Sequence, residues 1–408
     1  MTRPPMLEMD TALAELLSQA APLAAIESVD TLAAHGRILG AFVASTIDVP
    51  PADNTAMDGY AMRAADVAAS GARLPVSQRI PAGQVPAALA PGTAARIFTG
   101  AMLPPGADAV VMQEQCQQDG DAVVVNQVPL PGQWVRRTGE DIRAGTAILA
   151  AGTVLTPQAC GLAASVGLAR LPVVKRLKVA AFFTGDELAM PGEALKPGAI
   201  YNSNRFVLRG LVERLGCQLT DFGIVRDSLD ETRRVLRDAA AEHDLIITSG
   251  GVSVGEEDHV RPAVEAEGEI RLWQIAIKPG KPLAYGRVRR GSASGMADFI
   301  GLPGNPVSSF VTFLLFVRPF IRKRQGARDL APHSLTLRAD FDWAKPDRRR
   351  EFLRARMNAQ GGLDLYPNQS SGVLTSTVWG DGLIDIPSGQ AITRGAPVRF
   401  LPFDSLLG

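Results

Sequence analysis

Cysteine is scarce: Cys116, Cys160 and Cys217 are the only three in 408 residues, too scattered and odd in number for a disulfide framework or a metal finger. A reducing cytoplasm is the compartment this usage fits. Histidine is equally sparse, with four in all, and neither His35 nor His243 has metal-ligand spacing around it. Net charge is missing too, because 42 lysines and arginines offset 42 aspartates and glutamates. That balance gives no whole-molecule field to attract DNA or another polyanion, so any anion site must be local. The opening MTRPPMLEMDTALAELL lacks a signal-peptide core, and there is no internal repeat or low-complexity tail. The longest apolar run, near Phe310 to Val317, falls far short of the roughly 20 residues that span a bilayer. The expectation is a soluble protein with no membrane and no nucleic-acid partner.

What is present is length and a changing pattern. At about 100–200 residues per domain, the chain should divide into three or four modules. Residues 7–20 read as a helix, after which the paired prolines of VPPADNTAMDGYAM mark a domain entrance. From about 72 to 150, short segments such as ARIFTG, DAVVMQE and DAVVVNQV alternate with glycine turns, the signature of small β modules. Thr156-Pro157 then opens a short helix through Ala164, with threonine as cap and proline at its first position.

From 177 the periodicity switches to βαβαβ: LKVAAFF, NSNRFVLRGLVERLG, CQLTDFGIV, SLDETRRVLRDAAAEH and DLIITS. The first helix puts Leu208, Leu211, Val212 and Leu215 on one face and stops at Gly216, and the second begins with a capping box from Ser228 to Glu231. Right-handed crossovers make such a sheet parallel, with ligands beyond the carboxyl ends of its strands. RLWQIAI, PLAYGRV and DFIGLP follow, then the helix of GNPVSSFVTFLLFVRPFIRK, and after about 329 a separate small β domain.

The chemistry-bearing turns lie where that sheet should bind. TGDEL (Thr184 to Leu188) and TSGGVSVGEEDH (Thr248 to His259) offer glycine-freed amides followed by carboxylates, a combination able to hold a phosphate beside its Mg²⁺. KPGKP (Lys278 to Pro282) sets two lysines three apart on a turn stiffened by proline, suited to an oxyanion. GLPGNPVSS (Gly301 to Ser309) delivers amides and serines at a helix start. Each also has an ordinary reading as a capping or surface turn. GVSVG matches a nucleophile elbow with Ser253 in the nucleophile slot, a rival that needs a later histidine, and only His259 and His333 follow. Asp58, Thr99 and Asp141 are polar residues in glycine-bearing turns of the β-rich half.

Taken in order, NTAMDGYA, RIFTGAMLPPGADAVV, GEDI, TGDEL, SGGVSVGEEDH, IKPGKP and GLPGNPVS resemble the MoeA-type molybdopterin molybdenumtransferases, the family of the gephyrin E domain. Their order and spacing over about 250 residues carry the resemblance, since each string alone is a modest signal. The resemblance implies a multidomain α/β plus β fold: a helical and extended domain I from 1–47 and 140–172, a β-rich domain II from 48–139, a molybdopterin-binding-like α/β domain III from 173–328 and a β-barrel-like domain IV from 329–408. It implies a homodimer with a cleft between domain III of one subunit and domain II of the other. The implied reaction is Mg²⁺-dependent insertion of molybdate into adenylylated molybdopterin, releasing AMP. Molybdopterin adenylyltransferase and molybdoenzymes or cofactor-handling proteins are the implied neighbours in the pathway.

By motif, the family's acidic and polar cleft residues fall on Asp58, Thr99, Asp141, Glu187, Asp227 and Asp258, with Glu187 and Asp258 as Mg²⁺ ligands. Substrate contacts fall on Gly250, Gly251, Ser253, Lys278, Lys281, Pro303, Pro306, Ser308, Arg350 and Ser371, and Gln274 stands where some members carry a further lysine. A scaffold is the competing function, since gephyrin E domains also dimerise and bind receptor segments. Here the acidic cleft residues are kept and the chain begins almost at the E-like module, which favours an enzyme.

Overall fold

The strand Lys178–Thr184 is apolar on both faces, and in the computed structural model every residue of it except Lys178 is buried. Phe182 and Phe183 point to opposite sides of the sheet and belong to two different cores. Burying each contributes about 1.5–3 kcal/mol, so the strand must lie inside a sheet covered on both faces. The structure describes residues 6–251, 259–291 and 295–407.

The central sheet has six strands in the order Gln218–Val225, Lys178–Thr184, Leu245–Ser249, Met296–Leu302, Pro282–Arg289, Gly268–Gln274. The first four run parallel, Pro282–Arg289 runs against them and Gly268–Gln274 runs with them again, so the expected βαβαβ unit is present with two antiparallel pairings added at one edge. Helices Leu229–Glu242 and Val260–Glu267 cover one face, and Ser203–Arg214 with the long helical run from Pro306 to Arg324 covers the other. Leu208, Leu211, Val212 and Leu215 are all buried as their spacing predicts, and Gly216 ends that helix at φ 74°. Half of the expected capping box forms: the Glu231 amide donates to Ser228 Oγ at 3.3 Å, while the Glu231 carboxylate turns to Arg234 at 2.6 Å.

The β-rich domain is a six-stranded sheet over its own two small cores, and no α-helix interrupts residues 72–150. Domain I pairs Ile26–Asp30 with Arg170–Val174 and Val43–Ala44 with Ala147–Leu149, so both flanks of the β-rich insertion meet. Thr156 caps the helix Pro157–Ser165 by accepting from the Ala159 amide at 3.2 Å. The N-terminal helix, Met9–Gln19, packs elsewhere: Met9, Ala12 and Leu16 enter the core of the central domain. Its entry is strapped down by Leu7, whose amide donates to Gln274 O at 2.8 Å and whose carbonyl accepts from Ala276 N at 2.8 Å. The apolar face of this helix therefore belongs to the core of the central domain.

In the C-terminal region the strands close on themselves. Arg350–Met357 pairs with both Gly362–Leu365 and Gly382–Ile386, and Leu335–Ala339 and Pro397–Pro402 complete a ring of five. Ile277–Lys278, at the start of the lysine turn, adds in parallel to Arg350–Glu351 on this barrel. That pairing brings barrel residues to the binding edge of the central sheet. Among the described residues no helix is long and apolar enough to cross a membrane.

Candidate active site

Beyond the carboxyl ends of the parallel strands opens a cleft of about 820 Å³. Its first wall is built by the turns after Thr184 and Ser249, the second by the lysine turn, the turn before helix Pro306–Thr312 and two loops of the barrel. Of the residues singled out in the sequence, Glu187, Asp227, Gly250, Gly251, Lys278, Lys281, Pro303, Pro306, Ser308 and Ser371 line it. Ser253 and Asp258 lie outside the described residues, as do Glu256 and Glu257.

The first wall is held by short-range contacts between strand ends. Ser249 Oγ donates to Pro303 O at 3.0 Å, and Asn204 Nδ2 donates to both Ser249 Oγ and Gly304 O at 2.8 Å. Gly250 follows with φ 95°, and a β-carbon there would lie 2.6 Å from Thr184 O, so only glycine lets the two turns touch. Glu187 and Asp227 face the cleft from adjacent strands, and Glu187 O also accepts from Ile200 N at 2.8 Å, fixing the extended segment that follows TGDEL. Asn204 Oδ1 and Asn202 Nδ2 are buried in this wall without a hydrogen-bond partner among the described residues. Asn202 itself caps helix Ser203–Arg214, its Oδ1 accepting from Arg205 N at 3.1 Å.

The second wall is cationic, but its charges are not equivalent. Lys278 Nζ lies 3.0 Å from Glu351 Oε1 and 3.4 Å from Asp347 Oδ2. Asp347 in turn chelates Arg349, accepting from Nε at 3.0 Å and from Nη2 at 2.9 Å. The Arg349 guanidinium, with Lys278 adding to it, holds the Asp347 carboxyl far below the usual carboxylate range despite partial burial. Lys281 makes no ion pair among the described residues.

The arginine that reaches the cleft is Arg349, not Arg350. Arg350 points the other way, paired with Asp385 at 2.6 Å and with Asp10 of the N-terminal helix at 3.0 Å. Arg349 lies just before the strand Arg350–Met357 and Arg350 begins it, so two consecutive side chains are sent to opposite sides. Gln369, Ser370 and Ser371 complete the rim, held by the fully buried Arg354. Its guanidinium donates to Ser376 Oγ at 3.0 Å, Phe352 O at 3.2 Å and Ser370 O at 3.2 Å, and its amide to Gln369 Oε1 at 2.9 Å. Burial pushes Arg354 down to about 10. Ser371 O accepts from Val307 N at 3.0 Å, so the first amide of helix Pro306–Thr312 is already taken.

Asp58, Thr99 and Asp141 do not reach this cleft; none of its lining residues comes from 48–139 or from domain I. Asp58 and Thr99 nonetheless meet each other, since Asp58 Oδ1 accepts from both the amide and the hydroxyl of Thr99 at 2.7 Å. The amide first, then the hydroxyl, lower the Asp58 carboxyl below its ordinary value. Asp141 is exposed, its amide donating to Val49 O at 3.0 Å. Asn202, Asn204, Gln369 and Ser370 are cleft residues that motif reading passed over. The asparagines stood in NSNRF as the start of a helix, and their capping chemistry hid their place in the wall.

Comparison with known proteins places the whole chain. Family models match in chain order: the MoeA N-terminal region (domain I and II) at 7–167, the probable molybdopterin binding domain at 180–323 and the MoeA C-terminal region (domain IV) at 336–403. The chain is 38% identical to the molybdopterin molybdenumtransferase of Haemophilus influenzae, over 99% of this chain and 100% of that one. It is also 38% identical to the molybdopterin molybdenumtransferase of a Nostoc strain, over 92% and 88%. A crystal structure of the molybdopterin biosynthesis MoeA protein from Pyrococcus horikoshii OT3 superposes with a TM-score of 0.84 at 29% identity, covering 98% of this chain and 100% of that one. A second, from the same species, gives a TM-score of 0.77 at 31% identity, covering 98% and 99%. With three family domains in order and relatives matched end to end, the nucleophile-elbow reading of Ser253 has no remaining support, and the chain belongs to the MoeA-type molybdopterin molybdenumtransferase family.

Proposed function

We propose that this chain inserts molybdate into adenylylated molybdopterin and releases AMP, yielding the molybdenum cofactor. The observation that carries the reading is the two-sided character of one cleft. Carboxylates Glu187 and Asp227 stand with glycine turns on one wall, and Lys278, Lys281 and Arg349 stand on the other. A reaction that brings a phosphoanhydride and a free oxyanion together needs both kinds of wall. At about 820 Å³ the space is within the roughly 300–1,000 Å³ typical of small-ligand clefts.

In this reading the Gly250–Gly251 and Pro303–Pro306 turns, with Ser308, seat the pterin phosphate, and Lys278 and Lys281 hold molybdate near the dithiolene. Arg349, Ser371 and their neighbours on the barrel close that end. Mg²⁺ takes hard oxygen donors, typically one or two carboxylates together with phosphate oxygens and water. Glu187 and Asp227 supply such donors on the described wall, and Asp258 is the third acidic candidate in the sequence. When bound, the metal neutralises charge on the phosphoanhydride. The chain's own work is positioning and charge complementarity, with no covalent nucleophile.

Asp58 and Thr99, joined to each other and remote from the cleft of their own chain, fit a homodimer in which the β-rich domain of one copy faces the cleft of the other; Asp141 belongs to the same face in this reading. The substrate would arrive from molybdopterin adenylyltransferase in the cytoplasm, and the product would pass to molybdoenzymes or their cofactor-handling proteins. Deleting the gene and testing rescue separates this enzyme from a scaffold. Wild type should restore molybdoenzyme activity and Glu187→Ala should not; rescue by both would overturn the catalytic reading in favour of a scaffold.

A further inference from the structure

The cationic wall contains a charge balance that the family resemblance does not mention. Lys278 and Arg349 bring two positive charges, and Asp347 and Glu351 bring two negative ones directly against them. Glu351 is 1% exposed, and its other oxygen accepts from Trp343 Nε1 at 2.9 Å and from the Asp347 amide at 3.2 Å. It therefore cannot swing out to water when an anion arrives. The parallel pairing of Ile277–Lys278 with Arg350–Glu351 puts Lys278 and Glu351 in register, so the contact is set by backbone as well as by side chains. Lys281, three residues on, has no ion partner among the described residues.

We propose that Glu351 and Asp347 are positioning residues that hold down the oxyanion affinity of the cleft: they pre-neutralise Lys278 and Arg349 and leave Lys281 as the cation that supplies most of the attraction. An oxyanion gains Lys278 only by competing with a buried carboxylate that cannot leave. The anion is thereby held loosely enough to move on to its acceptor, where three bare cations would retain it. The pair also ties the barrel to the central domain, so the same two carboxylates set both the shape and the charge of this end. The inference rests on the reading that Lys278 and Lys281 bind the oxyanion.

The test is direct titration of the full-length protein with molybdate by calorimetry, for wild type, Glu351→Gln, Asp347→Asn and Lys281→Gln. Removing one carboxylate charge should tighten molybdate binding by about threefold to tenfold, and raising ionic strength should erode that gain. A merely structural role predicts the opposite, because a disturbed wall binds less. If Glu351→Gln does not fold, Asp347→Asn carries the same expectation from the more exposed side of the pair. Unchanged or weaker binding in the folded carboxylate variants, with Lys281→Gln weakened tenfold or more as expected, overturns the proposal alone. Unchanged binding in Lys281→Gln overturns the oxyanion reading beneath it as well.

Discussion

Gly280 is the residue on which the geometry of the lysine turn depends most heavily, and Gly280→Ala is the perturbation that isolates it. Its φ is 107°, a region that residues with a β-carbon occupy at a cost of about 1–3 kcal/mol. An added β-carbon would fall on Thr312 Oγ1 and 3.4 Å from Ser308 O. Thr312 is fully buried and cannot turn away, so the overlap adds about 1–3 kcal/mol of overpacking. The turn relieves this by moving off helix Pro306–Thr312, carrying Lys278 and Lys281 with it. A displacement near 1 Å at a positioned group costs on the order of a hundredfold in rate. Urea unfolding should show a loss of about 2–6 kcal/mol, and AMP release should need far more molybdate. The companion variant Gly280→Ala with Thr312→Ala removes the overlap but not the backbone cost, so it should recover part of the stability, a coupling that a double-mutant cycle reads. Gly280→Ala with wild-type stability and wild-type molybdate dependence would refute the reasoning.

Two further outcomes follow from charges outside the lysines. Arg354→Met removes three guanidinium hydrogen bonds beneath the Gln369–Ser371 rim while roughly keeping volume; stability should fall by about 2–4 kcal/mol in urea, and an unshifted midpoint would contradict the role given to Arg354. Asp347 has a folded-state carboxyl held below its ordinary value of 3.8, chiefly by Arg349, so its contribution is present above that pH and lost as pH falls through the lowered folded value. Thermal midpoints should therefore drop on acidification below about pH 4, and Asp347→Asn should be less stable at neutral pH but flatter in acid. An identical acid slope in the variant would remove Asp347 from the account.

Much of this architecture was legible because it is local. The two-sided apolar strand Lys178–Thr184, the stripe on Ser203–Arg214 and the threonine–proline helix start are each written in a few consecutive residues. The residue pattern showed the barrel only as short β segments and its closure was legible only through the family resemblance, since closure needs Arg350–Met357 to pair with both Gly362–Leu365 and Gly382–Ile386. The N-terminal helix showed its periodicity but not its partner, because an apolar stripe does not say which core it completes. In the site, the turns were readable because glycine, proline and carboxylate patterns carry their own chemistry. The clamp on Lys278 was not, because it joins residues of two domains, and the choice of Arg349 over Arg350 awaited the fold itself, which sends two consecutive side chains to opposite sides.

The central claim is that one cleft joins molybdate to adenylylated molybdopterin at the expense of the phosphoanhydride. Its most direct test is AMP release by the purified protein given adenylylated molybdopterin and Mg²⁺, with and without molybdate, with molybdenum in the product measured alongside. The account predicts AMP release that depends on molybdate and matches the molybdenum incorporated, and that is lost in Glu187→Ala. No AMP and no active cofactor from well-folded protein, or AMP release that ignores both molybdate and Glu187, would contradict it.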